Sequence, residues 1–66
     1  MGFKEKHGVE VDKHKLNSYL GLIDEQVIDI RAKESLKLEF VREYLELEHA
    51  MFVENDNIIN ELIKEL

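Results

Sequence analysis

LKLEFVREYLELEHAMFVENDNIINELIKEL, residues 36–66, is the stretch whose reading decides the fold. These 31 residues contain neither Gly nor Pro. Val41, Tyr44, Leu45, Met51, Phe52, Ile58, Ile59, Leu62, Ile63 and Leu66 recur at helical spacing, the pattern of an amphipathic helix. At about 1.5 Å per residue a continuous helix would span roughly 46 Å. The rest of a 66-residue chain cannot cover that length, so the pattern speaks first of assembly.

One interruption lies within the stretch. Asn55-Asp56-Asn57 is a run of residues that favour helix caps and could end one helix and start a short third. The seam nevertheless keeps phase through it, with Phe52, Asn55, Ile59, Leu62 and Leu66 stepping by three and four, and a single helix over 36–66 is expected, with a break near 55–57 as the alternative.

Upstream, Asp12 is placed as an N-cap for a first helix over 13–33, whose apolar face is Leu16, Tyr19, Leu20, Ile23, Val27 and Ile30. Residues 1–12 read as an irregular arm: Gly2 and Gly8 discourage helix, and one short alternating run, Gly8-Val9-Glu10-Val11, cannot make a sheet alone. Phe3, Val9 and Val11 are free to cover the bundle. Between the helices the apolar phase shifts near Ser35, the best available cap there. A hairpin folded at Ser35 would set Ile30 level with Val41, Val27 with Tyr44, Ile23 with Glu48 and Leu16 with Asn55, leaving residues past Ile59 to overhang. The expected fold is therefore all-α, an antiparallel helical hairpin with a short arm, in one domain spanning 1–66.

Composition sets the bounds. A chain this short is near the limit at which one core outweighs chain entropy. With no Cys, disulfides and thiolate metal sites are excluded and a reducing cytoplasm is suitable. Oligomerisation is the remaining device. Charged residues make up 36% of the chain and Pro is absent, which suits helical bundles rather than sheet or disorder. No apolar run approaches a membrane span, and the start Met-Gly-Phe-Lys-Glu-Lys lacks the apolar core of a signal peptide. The net charge is −6 and is concentrated after residue 35. That disfavours nucleic acid and anionic lipid as partners, whereas a basic protein partner would be steered in.

The sharpest chemical candidate is Glu46-Leu-Glu-His49. Glu-x-x-His is the element by which ferritin-like carboxylate bundles bring two ligands to one metal, and the Ser35 hairpin would set Glu25 level with Glu46. Angular phase opposes this. At 100° per residue Glu25 lies about 200° from Ile23, and Glu46 about 140° from Val41, so both face away from the seam. Glu48 sits instead on the apolar face and would need a cation there, with Arg31, Lys15 or Arg42 as candidates. Asn55 at a seam position is the kind of residue that fixes register in helix assemblies. His7 and His14 are scattered, Ser18 and Ser35 lack a neighbouring base, and no phosphate loop is present, so no enzyme and no cofactor are expected. Tyr19, Phe40, Tyr44 and Phe52 read as core.

Leu22, Ile28, Leu47, Ala50 and Val53 lie off the main stripes and make both helices apolar over a wider arc than one hairpin buries. A second contact surface follows. The expected function is a small acidic interaction or regulatory module in the cytoplasm, self-associating to a dimeric four-helix bundle and docking through Leu47, Met51, Phe52, Asn55, Ile59 and Leu62. The alternatives are a di-metal carboxylate bundle using Glu25, Glu46 and His49, and an RNA-binding hairpin dimer in the manner of ROP.

Overall fold

Asp12 opens the helix α2 (Lys13–Gln26), its carboxylate accepting the N–H of Lys15 at 3.0 Å, as its position in the sequence predicts. The computed structural model describes residues 2–66. Three further helices are present among them: α1 (Phe3–His7), α3 (Ile30–His49) and α4 (Asp56–Glu65). The protein is all-helical, with no strand among the described residues.

The boundaries differ from the sequence reading at three places. The first helix stops at Gln26 rather than near residue 33, and the turn is Val27-Ile28-Asp29 rather than Ser35. Val27 is extended, at φ −104 and ψ 119, a conformation that suits a β-branched residue better than the helix does. Asp29 then caps α3 by accepting the N–H groups of Arg31 and Ala32 at 2.9 and 3.2 Å, satisfying donors that a helix start leaves unpaired. Ser35 lies inside α3.

The second difference is the long helix, which does not run from 36 to 66. It begins at Ile30 and ends at His49, where Ala50 takes a left-handed conformation, φ 51 and ψ 31. The N–H of Ala50 reaches the carbonyl of Glu46 at 3.1 Å, and that of Met51 reaches Leu45 at 3.0 Å, closing the helix end. Asn55 then caps α4, its side chain accepting the N–H of Asn57 at 2.8 Å. The alternative break near 55–57 is the one observed. The longest dimension of the molecule is 34 Å, short of the roughly 46 Å a continuous helix would need. Turning back lets the chain cover the apolar residues that a straight helix would leave overhanging.

Third, the arm contains α1. Gly8, at φ 71, terminates it with its N–H on the carbonyl of Lys4 at 2.7 Å. The positive φ is what calls for glycine here.

Helices α2 and α3 lie side by side in opposite directions. Asp24 meets Lys37 at 2.6 Å near the turn, the Tyr19 and Phe40 rings meet midway at 4.9 Å between centroids, and Lys15 meets Glu48 at 3.7 Å at the far end. Glu48 therefore stands opposite Lys15 and not Ile23, because the turn at 27–29 is centred seven residues before Ser35. Helix α4 folds back on α3, held by Arg42, whose Nε donates to the Val53 carbonyl at 3.1 Å and whose guanidinium pairs with Asp56. Helix α1 lies on α4 through buried Phe3, whose N–H donates to Glu65 at 2.6 Å. The core is Phe3, Leu16, Leu20, Val41, Tyr44, Leu45, Val53, Ile59 and Leu62, with Val9 and Val11 packed against it, so the arm covers the bundle as its valines predict.

Candidate functional site

Helix α3 is apolar on two sides. Val41, Tyr44 and Leu45 face the core, while Leu36, Phe40 and Leu47 share a second face, stepping by four and then seven. Helix α2 divides in the same way, with Leu16 and Leu20 buried and Tyr19 and Leu22 exposed. Helix α4 covers only the first side. The second side of the α2–α3 pair is left open, and the tilted Tyr19–Phe40 pair forms its floor with a geometry favourable for aromatic rings.

Beside that pair lies an open recess of about 250 Å³, lined by Tyr19, Phe40, Tyr44 and Leu47 with Lys15, Glu43 and Glu48 at its edge. Leu47 is 83% exposed, a large cost in water-facing apolar surface for a chain of this size. The Lys15 ammonium sits 5.9 Å from the Tyr44 ring centroid while pairing with Glu48. Glu39, Glu43 and Glu46, on the outer flank of α3, form no ion pair among the described residues. The rim is acidic and the floor apolar.

The six residues expected to form one docking stripe do not share a surface. Ile59 and Leu62 are fully buried in the chain's own core, because α4 turns back on α3. Met51 is half-buried and Asn55 is an exposed cap. Phe52 is 76% exposed, but lies on the connecting segment near Arg42, Glu46 and Asp56, away from the open recess. Leu47 alone of the six lines it. Of the off-stripe residues, Leu47 lines the open recess, Leu22 is exposed on α2, Ile28 is exposed in the α2–α3 turn, Ala50 is the helix terminator and Val53 is core. Tyr19 and Phe40, read from the sequence as core, are the partly exposed centre of the face. Their side chains fit either reading, and only the course of α4 separates the two.

Glu25 and Glu46 are exposed, and His49 places Nε2 3.3 Å from the Tyr44 hydroxyl. Among the described residues no three His, Asp or Glu side chains converge on a cation-sized site, so Glu25, Glu46 and His49 do not come together within one chain. Glu48 is not trapped on an apolar face: its side chain is 53% exposed and Lys15 of the same chain answers it.

The titratable groups with shifted behaviour lie elsewhere. The Lys6 ammonium, donating to Glu61 at 2.7 Å, and His7 at 3.4 Å lower the Glu61 pKa. The Lys37 ammonium, hydrogen-bonded to Asp24, lowers that carboxyl in the same way, with Lys33 adding to it. Both carboxylates join helices, Glu61 α4 to α1 and Asp24 α2 to α3, and the cations beside them favour the ionised form.

No family model, no curated protein and no solved structure matches the chain.

Proposed function

We propose that this chain is a protein–protein docking module whose working surface is the open face of α2 and α3, centred on Tyr19, Phe40 and Leu47. One observation carries the reading. Tyr19, Phe40 and Leu47 line one open recess between α2 and α3, and Leu22 and Leu36 of the same two helices are exposed as well. An apolar patch with a polar rim is the usual mark of a partner surface. The proposal assigns no reaction. A cysteine-free chain suits the reducing cytoplasm, and that is where this docking is placed. Among the described residues no helix is long and apolar enough to cross a membrane.

Docking of a second copy through this face would give the dimeric four-helix arrangement that the sequence suggests. The RNA alternative loses support from the charge layout. Among the described residues seven of the nine bases are engaged with carboxylates, leaving Arg31 and Lys64, too few to neutralise a phosphate backbone.

The test is site-specific photocrosslinking in the cells that make the protein, with Leu47, Leu22 or, as control, exposed Asn60 of α4 replaced by benzoylphenylalanine. The expected result is a discrete adduct from positions 47 and 22 that is absent from position 60. Equal labelling from position 60, or none from 47 and 22, overturns the proposal.

A further inference from the structure

We infer that the occupant of the α2–α3 face is a basic amphipathic helix of about three turns supplied by another protein, and not a second copy of this chain. The inference rests on the docking reading above and specifies its partner.

Length and shape come first. On α3 the open face runs from Leu36 to Leu47, twelve residues and so about 16 Å of helix from first to last. Tyr19 of α2 lines the second wall, and Leu22 follows it by three residues on the same helix. A channel between two antiparallel helices accepts a third helix laid along it, with anchors spaced i, i+3 or i+4, i+7 and i+11.

Charge selects the chemistry of the partner. Glu43 and Glu48 border the recess, and Glu25 follows Leu22 by one helical turn on α2, while Glu39 and Glu46 lie further round α3, beside Arg42 and Asp56. Lys15, the base at the recess, is already paired with Glu48, and Lys33 and Lys37 near the turn are held by Asp24. A second copy would bring the same carboxylates against these, on a chain of net charge −6, and like charges brought together across an interface disfavour it. A helix carrying Leu or Ile on one face and Lys or Arg on its flanks supplies both complements. Association should then be steered and salt-sensitive.

The experiment titrates the full chain with three 18-residue synthetic helices with blocked ends. One carries Leu at i, i+4, i+7 and i+11 with Lys elsewhere on its flanks; the second replaces those Lys with Glu; the third has the composition of the first with its Leu scattered around the helix. Amide shifts report the location, and sedimentation of the free chain reports self-association. The Lys helix is expected to bind at least tenfold more tightly than either control and to weaken several-fold between 50 and 300 mM salt. The shifts should fall on Tyr19, Leu22, Leu36, Phe40 and Leu47. Leu47→Ala, at a side chain that supports no core, should weaken binding at least fivefold with an unchanged melting temperature, and Glu43→Gln should flatten the salt dependence. Equal binding of the scrambled helix, shifts centred on another surface, or a dimer of the free chain dissociated by Leu47→Ala would overturn the inference. The dimer, or preference for the Glu helix on the same face, would leave the docking reading standing. Absence of any helix from this face together with absent crosslinks at positions 22 and 47 would remove both.

Discussion

The Tyr44 hydroxyl accepts the backbone N–H of Asp12 at 2.9 Å, joining the residue that starts α2 to the far half of α3. Asp12 thus acts twice: its carboxylate caps α2, and its own amide is satisfied by a side chain 32 residues away. Tyr44 is buried, and a buried tyrosine with a partnered hydroxyl contributes both apolar area and a specific hydrogen bond. Tyr44→Phe keeps the ring and leaves the Asp12 N–H without its partner. A loss of about 1–2 kcal/mol is expected, read by urea unfolding as a lower midpoint at unchanged slope.

Burial divides residues that the sequence pattern groups together. Ile59→Ala and Leu62→Ala, each at a fully buried site, should cost about 2–5 kcal/mol. In a domain of this size that is enough to unfold much of the population at 37 °C. Leu47→Ala should change stability by less than about 0.5 kcal/mol. Thermal melts followed by circular dichroism separate the two groups, and equal losses at positions 47 and 62 would contradict the course described for α4.

The end of α3 is strained at Ala50, where a residue with a Cβ is held at φ 51. Ala50→Gly removes a left-handed penalty of about 1–2 kcal/mol and adds chain freedom to the unfolded state, for an expected net gain of about 0.5–1 kcal/mol. Gly8→Ala runs the other way. Space is open around it, yet its φ is 71, so a loss of about 1 kcal/mol is expected from backbone conformation alone. Paired melts of the two variants check both signs.

Acid should loosen the molecule at two joints. Lys6 and then His7 lower the Glu61 pKa, and Lys37 lowers that of Asp24. A carboxyl whose folded pKa lies below its unfolded value contributes stability that is present above the unfolded value and is lost as pH falls through the folded one. The melting temperature should therefore fall as pH drops below about 4. Asp24→Asn with Glu61→Gln should make that acid limb shallower while lowering the melting temperature at pH 7. A limb unchanged in slope would mean that other carboxylates govern it.

Much of the local structure is legible in the residues. Asp12 as a cap, the helical spacing of Leu16 and Leu20, the helical content of residues 36–49 and the cap-forming run at Asn55 all follow from propensity and period. The turn at 27–29 was also encoded, in two β-branched residues followed by Asp29, but its signal was weaker than the phase shift near Ser35. The candidate face was half legible. Leu22 and Leu47 lie visibly off the main stripes, whereas Tyr19 and Phe40 are apolar residues that could serve equally inside or outside.

The sequence by itself determined that this protein is helical, acidic, free of cysteine and richer in apolar arc than a single pair of helices can bury, because composition and periodicity are local properties. Only the tertiary structure decided that the chain reverses at Ala50. A straight helix would satisfy its backbone hydrogen bonds and keep the same phase, and the balance is tipped by Ile59 and Leu62 finding α3 to pack against. That reversal chooses which side of α3 is core and which is left open at Tyr19, Phe40 and Leu47. No local pattern carries the choice, since both sides of the helix are apolar and only the position of a segment distant in sequence distinguishes them.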